Sequence, residues 1–234
     1  MSGGLAVTAY LVTAALIGIA VEIFFIKTEY EGKMAAAALL KGIASFFFVL
    51  FGLICFMENR STFGSLVLAG LVLGMLGDIF LNLRNCFEAA KSMRLFAAGI
   101  LFFLSGHLLY IASLLNRNTS ISGYASLVTA ILTLISVPHL MKRVKAPSKG
   151  LRIFGWVYLV VVIAMFSSSL VLLCMNGGGK SEAVFTTGAL LFVISDFLMI
   201  YYSFARKIKP LRALNLISYY IGQLLIALTI LLTR

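Results

Sequence analysis

Residues 63–83 read Phe63-Gly64-Ser65-Leu66-Val67-Leu68-Ala69-Gly70-Leu71-Val72-Leu73-Gly74-Met75-Leu76-Gly77-Asp78-Ile79-Phe80-Leu81-Asn82-Leu83, with a single charge, Asp78. At 1.5 Å per residue a helix of this length spans about 30 Å, the thickness of the hydrocarbon layer of a bilayer. The stretch therefore reads as a membrane-spanning helix. A charge in hydrocarbon costs at least ~2.5 kcal/mol even on the mildest insertion scale, so an Asp at this position faces a bundle interior and marks a site.

Outward from that helix the chain breaks into seven more apolar runs, at about 5–26, 34–56, 93–115, 122–141, 153–174, 183–204 and 212–232. Of 234 residues 62% are hydrophobic and 12% charged, and the mean hydropathy is +1.07; a soluble domain carries about 25% charged residues. The fold class predicted is an all-α, polytopic integral membrane protein of eight transmembrane helices, with one helical domain over 1–234. The connections are short and leave no extramembrane domain. No basic region precedes the first run, which reads as a span and not as a cleaved signal peptide.

A net charge of +11 would suit a nucleic-acid partner if it were spread over one surface, but it is not. The segments after helices 1, 3, 5 and 7 hold 14 Lys and Arg, among them Lys27, Lys33, Arg84, Arg94, Lys142, Lys145 and Arg212. The other loops and the C-terminus hold four: Arg60, Arg117, Lys180 and Arg234. Such asymmetry is a positive-inside signal. It predicts an inner (plasma) membrane protein of bacterial type with both termini non-cytoplasmic, basic loops against the anionic cytoplasmic leaflet, membrane lipids as partners and no nucleic acid. The three cysteines, Cys55, Cys86 and Cys174, show no metal or disulfide spacing and read as buried structural thiols.

Two segments echo each other. Gly74-Met75-Leu76-Gly77-Asp78-Ile79-Phe80-Leu81 resembles Phe192-Val193-Ile194-Ser195-Asp196-Phe197-Leu198, and Ser105-Gly106-His107-Leu108-Leu109 resembles Ile221-Gly222-Gln223-Leu224-Leu225. Helices four apart run in the same direction, so the pattern predicts a parallel repeat of four plus four helices with halves 1–115 and 116–234.

The intramembrane polar residues share a depth. Counted from the nearest basic residue, Glu22 and Asp78 lie about 8–9 Å in, Lys41 about 12 Å, Asp196 about 15 Å and His107 about 20 Å; Tyr219 and Gln223 fall between. A cavity open to the cytoplasmic side, shared by Lys41, Asp78, His107, Asp196 and Gln223, is the simplest reading. Helical spacing adds Asn82 one turn from Asp78, Tyr110 beside His107, and Tyr219 and Tyr220 beside Gln223. Plainer roles exist for some: Glu22 is close enough to the interface to snorkel or to pair with Lys27, and Lys41 can neutralise Asp78 or Asp196.

Lys41 in helix 2, Gly77-Asp78-Ile79-Phe80-Leu81, Phe96 through Gly99 to His107 and Tyr110, Gly188-Ala189 through Phe192 to Ser195-Asp196, and Tyr220 to Gln223-Leu224-Leu225-Ile226 together resemble the motifs of the YhhN-like membrane proteins. The resemblance runs from about residue 35 to the C-terminus. The chain departs from that pattern at Gly42, where the family tends to have Pro, and at Phe197, where a small hydroxyl residue is expected.

Animal members of that family are lysoplasmalogenases, so the resemblance implies an ether hydrolase that needs no cofactor. Its substrate would be a lysophospholipid whose vinyl-ether bond is cleaved to a fatty aldehyde and a glycerophospho-alcohol. Vinyl ethers are hydrolysed by protonating the β-carbon, which leaves an oxocarbenium ion for water to capture. Glycosidases manage a similar cation with two carboxyl groups of unlike ionisation, and Asp78 and Asp196 suit such a pair. His107 and Gln223 would orient water, Lys41 would hold phosphate or tune an aspartate, and Glu22, Asn82, Tyr110, Ser195, Tyr219 and Tyr220 would line the substrate site. Two alternatives stay open at this stage: a metal held by Asp78, His107 and Asp196, and a proton-coupled transporter or lipid-binding protein without hydrolytic activity.

Overall fold

The computed structural model describes residues 2–143 and 149–233; Lys145 and Arg234 of the basic asymmetry lie outside the described residues. Among the described residues eight α-helices follow one another: α1 (Ser2–Tyr30), α2 (Met34–Glu58), α3 (Thr62–Leu83), α4 (Ala89–Arg117), α5 (Ile121–Met141), α6 (Lys149–Met175), α7 (Lys180–Phe204) and α8 (Lys209–Leu232). All eight are long and apolar enough to cross a membrane, as the hydropathy predicts. A 3-10 turn, Arg84–Cys86, continues α3. The helices overrun the apolar stretches, most at α1 and α4; the first turn of α4 carries Lys91. Backbone hydrogen bonding propagates through polar residues at negligible cost once the helix is nucleated.

Local signals set the ends. Ser61 caps α3 by accepting a hydrogen bond from the Gly64 amide at 3.0 Å, satisfying one of the unpaired donors of a first turn. Gly177 and Gly178 take φ of 72° and 82° in the α6–α7 turn, a region closed to most residues with a Cβ.

Each helix packs on the next except α4 and α5, and the ring is closed by α2 against α8 and α4 against α6. Six helices, α2, α3, α4, α6, α7 and α8, enclose the interior. Helix α1 lies outside α2 and α8, and α5 lies outside α6. Two of the tightest pairs, α3–α4 and α7–α8, meet through glycine. A Cβ on Gly188 would sit 2.9 Å from the Gly222 carbonyl oxygen, a Cβ on Gly222 the same distance from that of Gly188, and one on Gly106 3.1 Å from that of Gly70. Backbones approach this closely in membranes because hydrocarbon supplies no hydrophobic drive and contact must come from packing. The ends of α1, α3, α5 and α7 and the starts of α2, α4, α6 and α8 share one face of the bundle, called the basic end below.

The Gly188–Gly222 contact has a measurable consequence. Gly188→Val pushes a branched side chain into a backbone carbonyl that cannot yield, so α7 and α8 separate; overpacking of this kind costs about 1–3 kcal/mol. Thermal unfolding in detergent should fall accordingly, whereas Gly123→Val, with nothing within 4 Å of its Cβ position, should leave it unchanged.

Candidate active site

A cavity of about 510 Å³ enters the bundle from the basic end. Arg84, Lys207, Lys209 and the Glu29–Arg212 pair line its mouth, and Lys41, Asp78, Asp196, Tyr158, Tyr219 and Phe103 line its deeper part. Arg212 forks onto Glu29 through Nε and Nη2 at 3.0 and 2.8 Å and reaches Asn215 through Nη1 at 2.9 Å. Asn215 in turn donates to the Ser195 hydroxyl and carbonyl at 2.7 and 2.9 Å, tying the start of α8 to α7 beside Asp196.

Asp78 on α3 is a heavily supported carboxylate. Its Oδ2 accepts from Ser45 of α2 at 2.5 Å and from the Tyr219 hydroxyl of α8 at 2.7 Å. The Lys41 ammonium stands 3.8 Å from that oxygen. Lys41 is 1% exposed and donates to both oxygens of Glu22 on α1, at 2.9 and 3.1 Å, and its Nζ lies over the Tyr219 ring, 4.6 Å from the centroid. Glu22, Lys41 and Asp78 thus form one buried charge cluster. Glu22 pairs with Lys41 and not with Lys27, because its face of α1 is the one packed on α2. The sequence offered the neighbour on the same helix; the fold supplied one on the next.

Asp196 on α7 has different surroundings. Its Oδ2 accepts from the Tyr158 hydroxyl of α6 at 2.8 Å, and among the described residues no cation lies within 4 Å of it. Two carboxyl groups, one beside an ammonium and one without, therefore face the same cavity.

The other residues singled out in the sequence divide. Asn82 lines the cavity and its amide donates to the Asp78 carbonyl at 2.9 Å; Ser195 and Tyr219 line it as well. Gln223 and Tyr110 lie behind Tyr219 and off the cavity wall. They form a relay in which Tyr110 donates to Gln223 at 2.9 Å, Gln223 to the Tyr219 hydroxyl at 3.2 Å, and Tyr219 to Asp78. His107 is also off the wall. Its Nδ1 meets the Phe103 carbonyl at 2.6 Å, which assigns the proton to Nδ1, and its ring packs edge-on against Phe192 at 4.5 Å and Tyr158 at 5.7 Å. Its Nε2 is buried with no partner among the described residues. The single cavity expected for Lys41, Asp78, His107, Asp196 and Gln223 thus holds three of the five. Aromatic rings fill the level where the other two stand.

Glu22 and Tyr220 line a separate groove on the outer surface between α1 and α8. The buried Tyr220 hydroxyl has no partner among the described residues, and α1 passes it only because residue 18 is glycine, where any Cβ would collide with it. The expectation of buried structural thiols is corrected: Cys55 is buried, but Cys86 and Cys174 are exposed, being placed in a turn and in the last turn of α6. Among the described residues no group of three His, Cys, Asp or Glu is arranged to hold a metal ion; the Nδ1 proton of His107 and its aromatic packing separate it from the aspartates.

Three contributors escaped the sequence reading: Tyr158, Ser45 and Asn215. Each is an ordinary residue in an apolar run and acquires its role only across helices. One signal was present for Tyr158, which precedes Asp196 by 38 residues much as Lys41 precedes Asp78 by 37.

The arrangement belongs to a helical membrane protein with a polar, two-carboxyl cavity. The YhhN family pattern matches residues 34–230, so the chain belongs to the YhhN family. Neither a curated protein nor a solved structure matches it. Helix α1, and with it Glu22, lies outside the matched residues.

Removing one member of a buried ion pair strands the other. Lys41→Met should therefore destabilise the protein by about 3–5 kcal/mol, read as a lower thermal midpoint in detergent. Adding Glu22→Gln should restore part of the loss, because it removes the stranded charge; no recovery would contradict the assigned pairing.

Proposed function

We propose that the chain is a membrane hydrolase that cleaves the vinyl-ether bond of a lysoplasmalogen, releasing a fatty aldehyde and a glycerophospho-alcohol. Membership of the YhhN family supports a hydrolase. The observation that carries the reading is the pair of carboxyl groups with unlike surroundings on one cavity wall. The geometry of each suggests its share of the work.

Asp196 is the proton donor. Tyr158 occupies Oδ2, which leaves Oδ1 to carry the proton to the vinyl ether. In R–CH=CH–O–R′ that proton adds to the carbon remote from oxygen, and the double-bond electrons form the new C–H bond. An oxocarbenium ion, R–CH₂–CH=O⁺–R′, results. Asp78 is the standing negative charge. Held by Ser45 and Tyr219 and balanced with Lys41 between two carboxylates, it steadies the cation as it forms, as preorganised charge does most effectively in a water-poor site. Water then adds to the cationic carbon and gives its proton back to Asp196. The hemiacetal that remains collapses to aldehyde and glycerophospho-alcohol as its hydroxyl proton passes to the departing oxygen, and Asp196 ends protonated as it began. Lys41 acts here by setting the charge at Asp78, and the Tyr110–Gln223–Tyr219 relay by fixing the phenol that Asp78 accepts from.

With the basic end in the cytoplasm, as the charge asymmetry favours, the cavity takes its substrate from the cytoplasmic leaflet and both termini lie outside. In a chain whose only cysteine is Cys86, a membrane-impermeant maleimide should label opened but not intact cells; with Cys174 alone it should label intact and opened cells alike. Labelling of Cys86 on intact cells overturns the orientation.

Purified protein in lipid nanodiscs should release aldehyde from a 1-alkenyl lysophospholipid and none from the saturated 1-alkyl ether, which has no carbon to protonate. Asp78→Asn and Asp196→Asn should each lower the rate by at least ~10²-fold, the smaller share of general acid catalysis, while the protein elutes as a folded species. Asn keeps the shape but neither delivers a carboxylic proton nor carries charge. Full activity in either variant refutes the two-carboxyl mechanism. Loss to chelators with recovery by zinc points to a metal, and substrate-driven proton flux without aldehyde points to a carrier.

A further inference from the structure

A second, narrower pocket of about 50 Å³ adjoins the cavity on the side away from α1. It lies among the basic ends of α4, α5, α6 and α7, and the two spaces share Leu81, Arg84, Tyr158, Met199 and Ser203. Beyond that shared wall its lining is apolar, with Phe96, Ile100, Met141, Gly155, Ile200 and Phe204, save for Arg152 near the start of α6.

We propose, resting on the hydrolase reading above, that this pocket receives the alkenyl chain of the lysolipid while the phosphate stays at the basic mouth of the cavity. The vinyl ether then crosses between them at Tyr158, beside Asp196. Three observations carry the assignment. First, the chain has to leave a polar cavity, since each methylene removed from water gains about 0.8 kcal/mol. Two other directions are blocked: inward by the Phe103, Phe192 and Tyr219 rings, which pack edge to face at 5.2–6.4 Å, and toward α1 by the Glu22–Lys41 and Glu29–Arg212 pairs. Second, the residue common to both spaces at the level of the carboxyls is Tyr158, the hydrogen-bond donor to Asp196, so a chain in the pocket brings its first carbons to the proposed acid. Third, Arg84 lines both spaces. Its guanidinium rests on the Phe96 ring, 4.4 Å from the centroid, and among the described residues no carboxylate lies within 4 Å of it, which leaves its donors for a phosphate at the boundary of polar and apolar space. The pocket is narrow as it stands, but Met141 and Met199 in its wall are unbranched thioethers that readily change shape around a guest. Among the described residues a Cβ on Gly155 meets only Met141 Cε, at 3.8 Å, so residue 155 is a point at which the pocket can be probed.

The test uses the full chain in nanodiscs with the native cysteines replaced and a single reporter, Gly155→Cys or, in the α1–α8 groove, Ile221→Cys. The probe is the saturated 1-hexadecyl lysophospholipid, which no vinyl-ether hydrolase can consume. It should slow maleimide alkylation at Gly155→Cys at least tenfold and leave Ile221→Cys unchanged. Glycerophosphoethanolamine, the same headgroup without a chain, should protect neither. Protection at Ile221→Cys alone, or equal protection by the headgroup, overturns the proposal. On turnover, Gly155→Phe should lower the ratio of long-chain to short-chain vinyl-ether cleavage by at least tenfold. Aldehyde release with an unaltered ratio sinks the chain pocket and keeps the hydrolase; protection by the uncleavable lipid without aldehyde from any vinyl ether does the reverse.

Discussion

Hydrocarbon gives a charge nowhere to go, and the interior of this bundle is organised around that constraint. Glu22, Lys41 and Asp78 come from three different helices and are each nearly removed from solvent, so α1, α2 and α3 can pack only in the register that brings them together. Buried pairs of this kind add little net stability, because desolvation offsets attraction. What they supply is specificity: any other packing of the three helices strands a charge. The phenol of Tyr219 extends the same requirement to α8, and Gln223 and Tyr110 extend it to α4. A site that has to be electrically balanced is also what aligns the helices.

At the opposite end of the bundle the same rule gives a different result. Arg117 meets Glu182 at 2.6 Å, Asn176 reaches that carboxylate, and Asn59 holds the last turn of α8 through the Ile230 and Thr233 carbonyls. There the polar groups satisfy one another and link helix ends. At the basic end they leave unsatisfied capacity around a cavity, with one aspartate held by two hydroxyls and a nearby ammonium and the other bound by a single phenol. The contrast separates polar residues that close a structure from those that keep a space open.

Much of this was legible in the sequence, because membrane helices announce themselves by length and apolarity. Every one of the eight spans lies where hydropathy puts it, and Asp78 and Asp196 do share a cavity. Less legible was which polar residues reach that cavity. Depth along a helix is read from counting residues, but the angle around it depends on which neighbour each face meets, and that is tertiary. His107 sits at a plausible depth and is nevertheless walled off by aromatic rings. Tyr158 hides in the run Val157-Tyr158-Leu159-Val160, where an aromatic residue looks like packing. Glu22 carries a charge that the sequence could match to Lys27, and only the fold turns it toward Lys41.

Helix α5 packs extensively on α6 alone, and most of its surface faces outward. Elements with few buried contacts are the ones that open at low free-energy cost. In a bilayer the lateral pressure of the surrounding lipid presses such a helix against its neighbour; a detergent micelle supplies no comparable force. Because Met141 at the end of α5 forms part of the wall beside Tyr158, the solvent chosen to extract this protein acts directly on the shape of its interior. The bilayer is in that sense a structural component of the bundle.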